Sequence, residues 1–496
     1  MNNTTIVLTI VIILLFGSGA FGQDFQATVV DKKSGAPIPF ATVQTGQYSG
    51  TITNEEGVFT LTDSAIARLK DSIFISSMGY EKVGLWVGEQ TDVTVALTAK
   101  TFELGQVFLS SENLDPKEII ERVKNNMDAN YKAPMTKKKI FFRQSDFSDM
   151  QQVDFKVKES SIPELNQALM NQITGSIAKQ SAYYRESVGD FYGDYYNHKL
   201  HLDKGAELYD KSKDISVDGL TEKLERIFKD NVKRDSYLKI KSGIFGTKVQ
   251  LDSVANAQAE EQEKVVKIED TDDQNFHDQT VSRISDVYNQ LFFIEDSELD
   301  FLSKSNRYRF EMDDYSFIDE AAVYVIHFEP KGKKDFRGTM YVNTDDYAIM
   351  RLEYTNVRPI QKFGLLGITY RRNVLRGKML FSKDQNGSYS PRYLELEDGE
   401  IVGVDRPLKV IEKNKNVKGR RKQNELSMDI NVKVSTLNKY ELVVFDSQDI
   451  SQSDYNQATQ NKSYKASYLS AYDPNFWNGL PIIEPNAAIQ AFKVVE

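Results

Sequence analysis

The chain has 496 residues, and its 72 aspartates and glutamates outnumber its 62 lysines and arginines to give a formal net charge of −10. This acidic balance argues against general nucleic-acid binding, which needs a basic face to displace counterions from phosphates. Cysteine is absent, which excludes a disulfide framework, a thiolate zinc site and a cysteine nucleophile. The 40% of hydrophobic residues and the length indicate an ordinary folded protein of about three domains.

Residues 1–22 are predicted to be a secretory signal peptide. The segment Ile6–Phe16 is almost wholly apolar, and small residues follow it as far as Gly22, just before the polar Gln23. No lysine or arginine precedes the apolar run, which departs from the usual pattern. The run is also shorter than the roughly 18 residues that favour a spanning helix. We therefore expect an exported mature protein, in the periplasm or associated with the outer membrane, without a transmembrane helix.

Residues 23–110 are predicted to form a small β-sandwich. Turn sequences such as Asp31–Gly35 and Asn54–Gly57 separate short runs of β-forming residues, which is typical of a sandwich of six or seven strands. The predicted strands are Thr28–Val30, Phe40–Val43, Thr51–Thr53, Val58–Leu61, Ile73–Ser76 and Val93–Leu97.

The amino-acid sequences of these turns are specific enough to indicate a family. Gly35–Val43, Gly50–Phe59 and Ile75–Tyr80 together resemble the carboxypeptidase-like regulatory domain. The resemblance implies a seven-stranded, transthyretin-like sandwich in which Gly57 takes a turn conformation that other residues avoid. It also implies a structural and interaction module, because in metallocarboxypeptidases this module is an accessory beside the catalytic domain.

Residues 111–290 are predicted to be a helical and mixed connector. One helix is expected from Asp115, whose carboxylate can accept hydrogen bonds from first-turn amides. A second helix is expected from Ser161, and apolar spacing indicates a third around Leu224. Between residues 250 and 280 the chain is almost wholly polar, which predicts a long exposed insertion.

Residues 291–496 are predicted to form a large antiparallel sheet or an open barrel, so that the mature chain is mainly β with an α/β connector. The segment Leu426–Val434 alternates strictly between apolar and polar residues, as a half-buried antiparallel strand does. Other predicted strands are Ala322–Phe328, Gly338–Asn343 and Tyr347–Tyr354. The tail Tyr472–Pro485 is rich in aromatic and proline residues, which lose little entropy on ordering, so we expect it to dock on this sheet.

A second resemblance extends over almost the full length. It is to a group of exported envelope proteins that carry the regulatory domain at their N-terminus and whose activity is uncharacterised. The segments that carry it are Glu118–Ile120, Asn130–Tyr131, Phe141–Arg143, Val323–Phe328, Gly338–Asn343, Ala348–Arg351, Tyr472–Trp477 and Ile482–Pro485.

The four histidines, His198, His201, His277 and His327, allow most histidine-dependent mechanisms to be checked. None of them stands in the spacing with glutamate that a zinc carboxypeptidase needs. His198 and His201 with Asp203 could bind a transition metal weakly, but a polar surface segment is the favoured interpretation. The strand position of His327 favours a packed or edge imidazole.

An acidic cluster and a basic run each allow a binding role or a simple solvated loop. Asp270, Asp272 and Asn275 mimic part of a calcium loop but lack its glycine and its final glutamate, which favours a solvated acidic loop. A basic run could meet anionic lipid headgroups or lipopolysaccharide phosphates, but a hairpin loop kept soluble by its charge is favoured. That run consists of Lys409, Lys413, Lys415, Lys418, Arg420, Arg421 and Lys422.

The sequence contains no nucleophile elbow and no phosphate-binding glycine loop. It therefore predicts no catalytic, cofactor-binding or metal-binding residues and no cofactor. The favoured function is that of a non-enzymatic protein of a Gram-negative cell envelope, with a structural or interaction role and another envelope protein or outer-membrane component as its partner. Two alternatives stay open: a lipid or lipoprotein carrier with a curved-sheet groove, and an envelope hydrolase with an unrecognised site.

A TonB-dependent receptor, which often begins with the same module, is disfavoured by length. The chain that follows residue 109 is too short for a plug and a barrel of about 22 strands.

Cleavage of the signal peptide is directly testable. The small residues before Gln23 predict that the exported protein begins at this residue. Intact-mass spectrometry of the protein recovered after export should show the loss of residues 1–22. A mass that retains Met1 and the apolar run would contradict the prediction.

Overall fold

In the computed structural model of the protein, the chain forms two compact units. The described residues are 24–69, 72–87, 93–100, 115–211, 223–233, 236–243, 245–250, 275–414 and 421–494. The predicted signal peptide and residues 251–274 of the predicted polar insertion lie outside them. The first unit comprises Met1–Lys100 and Pro474–Asn486, and the second comprises Thr101–Asp473 and Ala487–Glu496.

The first unit contains a β-sandwich, which confirms the predicted fold. Its seven described strands are β1 (Phe25–Asp31), β2 (Thr42–Gln44), β3 (Gly50–Ile52), β4 (Val58–Leu61), β5 (Ile73–Ser76), β6 (Val83–Leu85) and β7 (Val93–Leu97). One sheet has the order β4–β1–β7 and the other has the order β3–β2–β5–β6. A short helix, α1 (Asp63–Ile66), follows β4. The sequence predicts each of these strands except β6.

Two backbone conformations explain how these strands begin and turn. Gly57 has a φ of 74°, and a Cβ atom there would lie 2.5 Å from the carbonyl oxygen of Val29, so only glycine fits. Phe40 has a φ of 57°, which is incompatible with a strand, and β2 therefore begins at Thr42 and not at Phe40 as predicted. Apolar side chains from both sheets, among them Val29 and Ile75, form one fully buried core.

The segment Pro474–Asn486 belongs to this first unit. Trp477 ends a turn of 3₁₀ helix and is only 3% exposed. The side-chain amide of the buried Asn54 donates to the carbonyl oxygen of Pro485 at 3.2 Å, which satisfies a polar group that water cannot reach. The prediction that Tyr472–Pro485 docks on the C-terminal sheet is therefore wrong for residues 474–485. Burial of Trp477 and the Asn54 hydrogen bond draw them into the first unit.

The second unit is built on one open sheet with 14 described strands. The strands are β8 (Thr136–Ser160), β9 (Gln180–Gly193), β10 (His198–Leu208), β11 (Ser236–Ser242), β12 (Phe245–Gln250), β13 (Tyr308–Ile318), β14 (Ala321–Pro330), β15 (Phe336–Asn343), β16 (Ile349–Asn356), β17 (Gln361–Leu365), β18 (Ile368–Lys383), β19 (Tyr389–Asn414), β20 (Lys422–Asp449) and β21 (Ser467–Leu469). The main path runs β13–β14–β15–β16–β18–β19–β20–β8–β9–β10–β21, while β11, β12 and β17 lie off it. Every pair among these described strands is antiparallel except β10 with β21, which are parallel.

Several helices pack against this sheet. The described helices of the second unit are α2 (Pro116–Asn130), α3 (Gln167–Ser176), α4 (Phe276–Asn289), α5 (Gln452–Gln457) and α6 (Ala487–Gln490), with residues 223–231 also helical. The α4 helix packs on β10, β19 and β20, and it buries Ile284, Val287 and Tyr288. Within the described part of the chain, no helix is both long and apolar enough to cross a membrane.

The predicted boundary between a connector and a C-terminal sheet domain is absent. Strands β8 to β12 lie inside the predicted connector, yet they belong to the same sheet as β13 to β21. Polar residues on half of β8, which pairs along most of its length with β20, hide its strand character in the sequence. The described residues between 115 and 473 accordingly belong to one unit and not to two domains.

Two helix starts also differ from the prediction, while a third agrees. Asp115 caps α2 as expected, its carboxylate accepting from the amide of Lys117 at 2.9 Å. The cap of α3 is Asn166 and not Ser161, because the Ser161 hydroxyl instead accepts from the amide of Glu425 at 2.8 Å. The end of the predicted exposed insertion forms the first turn of α4, where Phe276, His277 and Thr280 are buried.

Removal of the Trp477 side chain should destabilise the first unit. Truncation of a large buried aromatic residue leaves a cavity and costs about 3 to 5 kcal/mol. Trp477→Ala should therefore lower the free energy of unfolding by that amount in chemical denaturation. Trp86→Ala is the matched control, because Trp86 is 72% exposed and its loss should change stability little. Equal denaturation curves for wild type and Trp477→Ala would contradict a docked segment.

Candidate functional site

One row of mostly charged residues crosses the large sheet from strand to strand. Residues that lie directly opposite each other in adjacent strands present their side chains on the same face. The register therefore aligns this row, called here the charged ladder. Its members, in order from β9 to β14, are Glu186, Arg143, Glu441, Glu395, Lys378, Glu353, Thr339 and His327.

The β9 end of the charged ladder is buried. Arg143 is 2% exposed, and its Nε donates to Glu186 Oε1 at 2.6 Å, while its Nη1 lies 3.7 Å from Glu441 Oε2. Burial alone lowers the pKa of Arg143, but Glu186 and Glu441 raise it above its ordinary value. The guanidinium is therefore held as a cation between two carboxylates.

The middle of the charged ladder balances its charges in the same way. Lys439 Nζ lies 3.3 Å from Glu395 Oε2, and Lys378 Nζ lies 3.2 Å from Glu395 Oε1. Burial raises the pKa of Glu395, but the two lysines more than offset this and hold it below its ordinary value. Tyr393 Oη lies 3.0 Å from Glu395 Oε2 and donates to this carboxylate. Glu395 is thus an ionised structural anion and does not have the raised pKa that a general acid needs.

The β14 end of the charged ladder opens into a polar groove. His327 is exposed, and its Nδ1 lies 2.9 Å from Thr339 Oγ1. The groove has a volume of about 620 Å³ and also receives the side chains of Glu329 and Arg337. Both are exposed, and neither has a hydrogen-bond or ion-pair partner within the described residues.

This arrangement is suited to binding. The groove floor is a hydrogen-bonded sheet whose charged groups are already paired or held in place, so little reorganisation is needed when a ligand arrives. Glu329 and Arg337 offer one anion and one cation to a partner, and His327 and Thr339 offer hydrogen bonds. The groove therefore fits an extended polar segment that carries both signs of charge.

His198, His201 and Asp203 do not form a metal site in the structure. His198 Nε2 lies 3.0 Å from Ser285 Oγ, and its ring stacks on Phe191. Asp203 instead pairs with Lys139 at 2.6 Å. These groups do not converge, and no cluster of three or more potential metal ligands occurs among the described residues.

The remaining histidines have clear surroundings. His277 is 1% exposed, and its Nε2 lies 2.8 Å from the carbonyl oxygen of Leu200. Asn275 caps α4 by accepting from the amide of His277 at 3.1 Å, whereas Asp270 and Asp272 lie outside the described residues. His327 is an exposed groove residue and not a packed one.

Two lysines of the basic run form ion pairs within the protein. Lys409 and Lys422 both pair with the buried carboxylate of Glu425. Residues 415–420, which include Lys415, Lys418 and Arg420, lie outside the described residues.

Comparison with known proteins identifies the N-terminal module. Residues 25–109 match the CarboxypepD_reg-like domain. The N-terminal sandwich is a carboxypeptidase-like regulatory domain. This regulatory-like module is non-catalytic, and the match confirms the resemblance expected from Gly35–Val43 and its neighbouring turns.

No curated protein matches the chain. Among solved structures, a LolA superfamily protein from Nitrosomonas europaea is 9% identical with a TM-score of 0.16, over 69% of this chain and 97% of that one. The MucA/MucB complex from Pseudomonas aeruginosa has a chain that is 6% identical with a TM-score of 0.14, over 67% of this chain and 99% of that one.

The buried end of the charged ladder should be sensitive to loss of one charge. Glu186→Gln leaves the buried Arg143 without its closest carboxylate, which should cost about 3 to 5 kcal/mol of stability. Lys158→Gln is the matched control, because Lys158 pairs with Asp429 across β8 and β20 at 2.6 Å but both side chains are substantially exposed. Its loss should cost about 0 to 1 kcal/mol. Equal stability losses in denaturant titrations would contradict the ladder as a buried electrostatic unit.

Proposed function

We propose that the protein is a non-enzymatic, exported cell-envelope protein that binds another envelope component. The groove at the open end of the charged ladder carries this proposal, because it presents the unpaired Glu329 and Arg337 on a rigid polar floor. The non-catalytic regulatory module supports an interaction role. The signal-peptide pattern of residues 1–22 supports export.

The chemistry of the groove favours a protein partner over an apolar ligand. The strand Ala322–Phe328 distinguishes a protein partner from an apolar ligand. In a lipid carrier, one face of this strand would line an apolar groove. Ile326 and Phe328 are fully buried, whereas His327 on the other face enters the polar groove. A peptide segment with acidic and basic residues complements Arg337 and Glu329.

Site-specific photo-crosslinking tests this function. A photoreactive residue in place of Thr339, at the groove centre, should crosslink to a defined envelope protein in cells. Arg337→Glu in the same protein should abolish the crosslink, because the partner's carboxylate then meets a like charge. The control places the photoreactive residue at Lys156, an exposed position on β8. Equal crosslinking at both positions, or a crosslink that survives Arg337→Glu, would overturn the proposed groove.

One observation favours a second candidate, a lipid or lipoprotein carrier. Two adjacent rows of partly exposed apolar residues cross the long strands away from the groove. These rows are Ile368–Val404–Val432–Val153 and Tyr370–Val402–Val434–Met150. Their open surface could shelter acyl chains. Lipid that co-purifies with the mature protein in native mass spectrometry, together with loss of the Thr339 crosslink, would favour this candidate.

A further inference from the structure

Large exposed apolar residues concentrate at one hairpin. Nine such residues occur in the described part of the chain, and five lie between residues 357 and 368. Four of these belong to the hairpin of β17 and β18, namely Phe363, Leu365, Leu366 and Ile368, which are 50%, 55%, 49% and 38% exposed. Clustered apolar exposure of this kind marks interaction sites.

The strand β17 lies at an open edge of the sheet. It pairs with β18 alone among the described strands, and all five of its residues are exposed. Leu365 and Ile368 close a two-residue turn, so this pair is hydrogen-bonded and the pairs alternate from there. The N–H and C=O groups of Gly364 and Lys362 consequently point outward. These groups are a template for another strand.

The two faces of this edge have different chemistry. Phe363 and Leu365 lie on one face beside Tyr370 and Ile368, because each pair is directly cross-strand. On the other face Lys362 lies directly opposite Arg371, and both are exposed. Like charges in this position destabilise a sheet unless an anion joins them.

The turn itself is unfavourable for its sequence. Leu366 has a φ of 50° and Gly367 a φ of 81°, a conformation in which asparagine followed by glycine is preferred. A leucine with positive φ is strained, yet its side chain remains half-exposed. Burial of the Leu366 side chain within the protein therefore does not offset its unfavourable backbone conformation.

We propose that the outer edge of β17 binds an extended strand of a partner protein by β-strand addition. The added strand places apolar side chains over Phe363 and Leu365, and on the other face it places a carboxylate beside Lys362 and Arg371. Its backbone pairs with Gly364 and Lys362. This site is independent of the polar groove, because it uses backbone groups and an apolar face.

Two other occupants fit the edge less well. A second copy of the chain, paired edge to edge through β17, would bring two Lys362 side chains together without a counter-charge. A bilayer would need a freely projecting tip, but the amide of Asp405 on β19 donates to the carbonyl oxygen of Gly367 at 2.7 Å and holds the turn against the sheet.

The test uses the full mature chain and two synthetic peptides as probes. One peptide alternates valine and glutamate, and the other alternates valine and lysine. Fluorescence anisotropy should show the glutamate peptide binding about fivefold more tightly, since a favourable cross-strand charge pair contributes up to about fivefold in affinity and like charges oppose binding of the lysine peptide. Lys362→Glu should reverse this preference. Failure of the wild type to bind the glutamate peptide, or equal binding of both peptides, would overturn the proposal.

A proline at Gly364 separates edge binding from folding. A Cβ at Gly364 meets no atom within 4 Å, and proline is tolerated where the amide points away from the ladder. Gly364→Pro should leave the melting temperature unchanged and weaken peptide binding at least about tenfold, while hydrogen exchange at residues 361–365 loses its peptide-induced protection. Unchanged affinity in Gly364→Pro would overturn strand addition.

Leu366→Asn distinguishes the remaining occupants. It relieves the turn and removes an apolar side chain, so it should preserve peptide binding within about twofold. If wild type floats with vesicles of anionic phospholipid and Leu366→Asn does not, the hairpin contacts a bilayer and the proposal is wrong. If sedimentation shows a wild-type dimer that Gly364→Pro dissociates, the occupant is a second copy and the proposal is again wrong.

Discussion

The register of β20 between β8 and β19 is the constraint on which the second unit depends. These three long strands pair over most of their length, with only local shifts. A slip of one residue would turn every side chain of a strand to the opposite face. Leu442 and Val444 would then turn to the face that now carries the ladder, and Glu441 would turn to the face that now carries Leu442 and Val444. The apolar face beneath α4 and the charged ladder are therefore two consequences of one alignment.

The strand register places several charged groups of the ladder in the interior and also supplies their partners. Burying Arg143 and Glu186 away from water is unfavourable unless each finds its partner. The register supplies the partners from neighbouring strands, because Arg143 stands between Glu186 and Glu441. A buried pair of this kind is weak as a source of net stability, but it penalises any other register. The same row continues into the open, where His327 and Arg337 line a groove whose floor the paired strands hold in place.

The two candidate binding surfaces use different properties of the same sheet. The groove offers charged side chains on a fully paired part of the sheet. The edge of β17 offers unpaired backbone groups with an apolar face, so it recognises an extended strand by its main chain. A protein with both can hold a partner at two points, and the effective concentration at the second point then rises without new contacts.

The sequence by itself determined the regulatory module and its turns. Gly57 and the strands from Val58 to Leu61 and from Ile73 to Ser76 are local features, since turn chemistry and period-two alternation act within a few residues. It also determined the cap of α2 at Asp115 for the same reason. The start of β2 at Thr42 is not a local feature of this kind, because residue type alone does not indicate the positive φ of Phe40, whose amide donates to the carbonyl oxygen of Thr53.

Only the tertiary structure decided which distant residues meet. The members of the charged ladder lie on eight strands spread from residue 143 to residue 441, and nothing in the spacing of Glu186 and Glu441 indicates that Arg143 lies between them. The placement of Trp477 in the first unit is equally non-local, because the acceptor for Asn54 lies more than 400 residues away at Pro485. Local propensity fixes the strands, whereas their order and register are set by burial summed over the whole sheet.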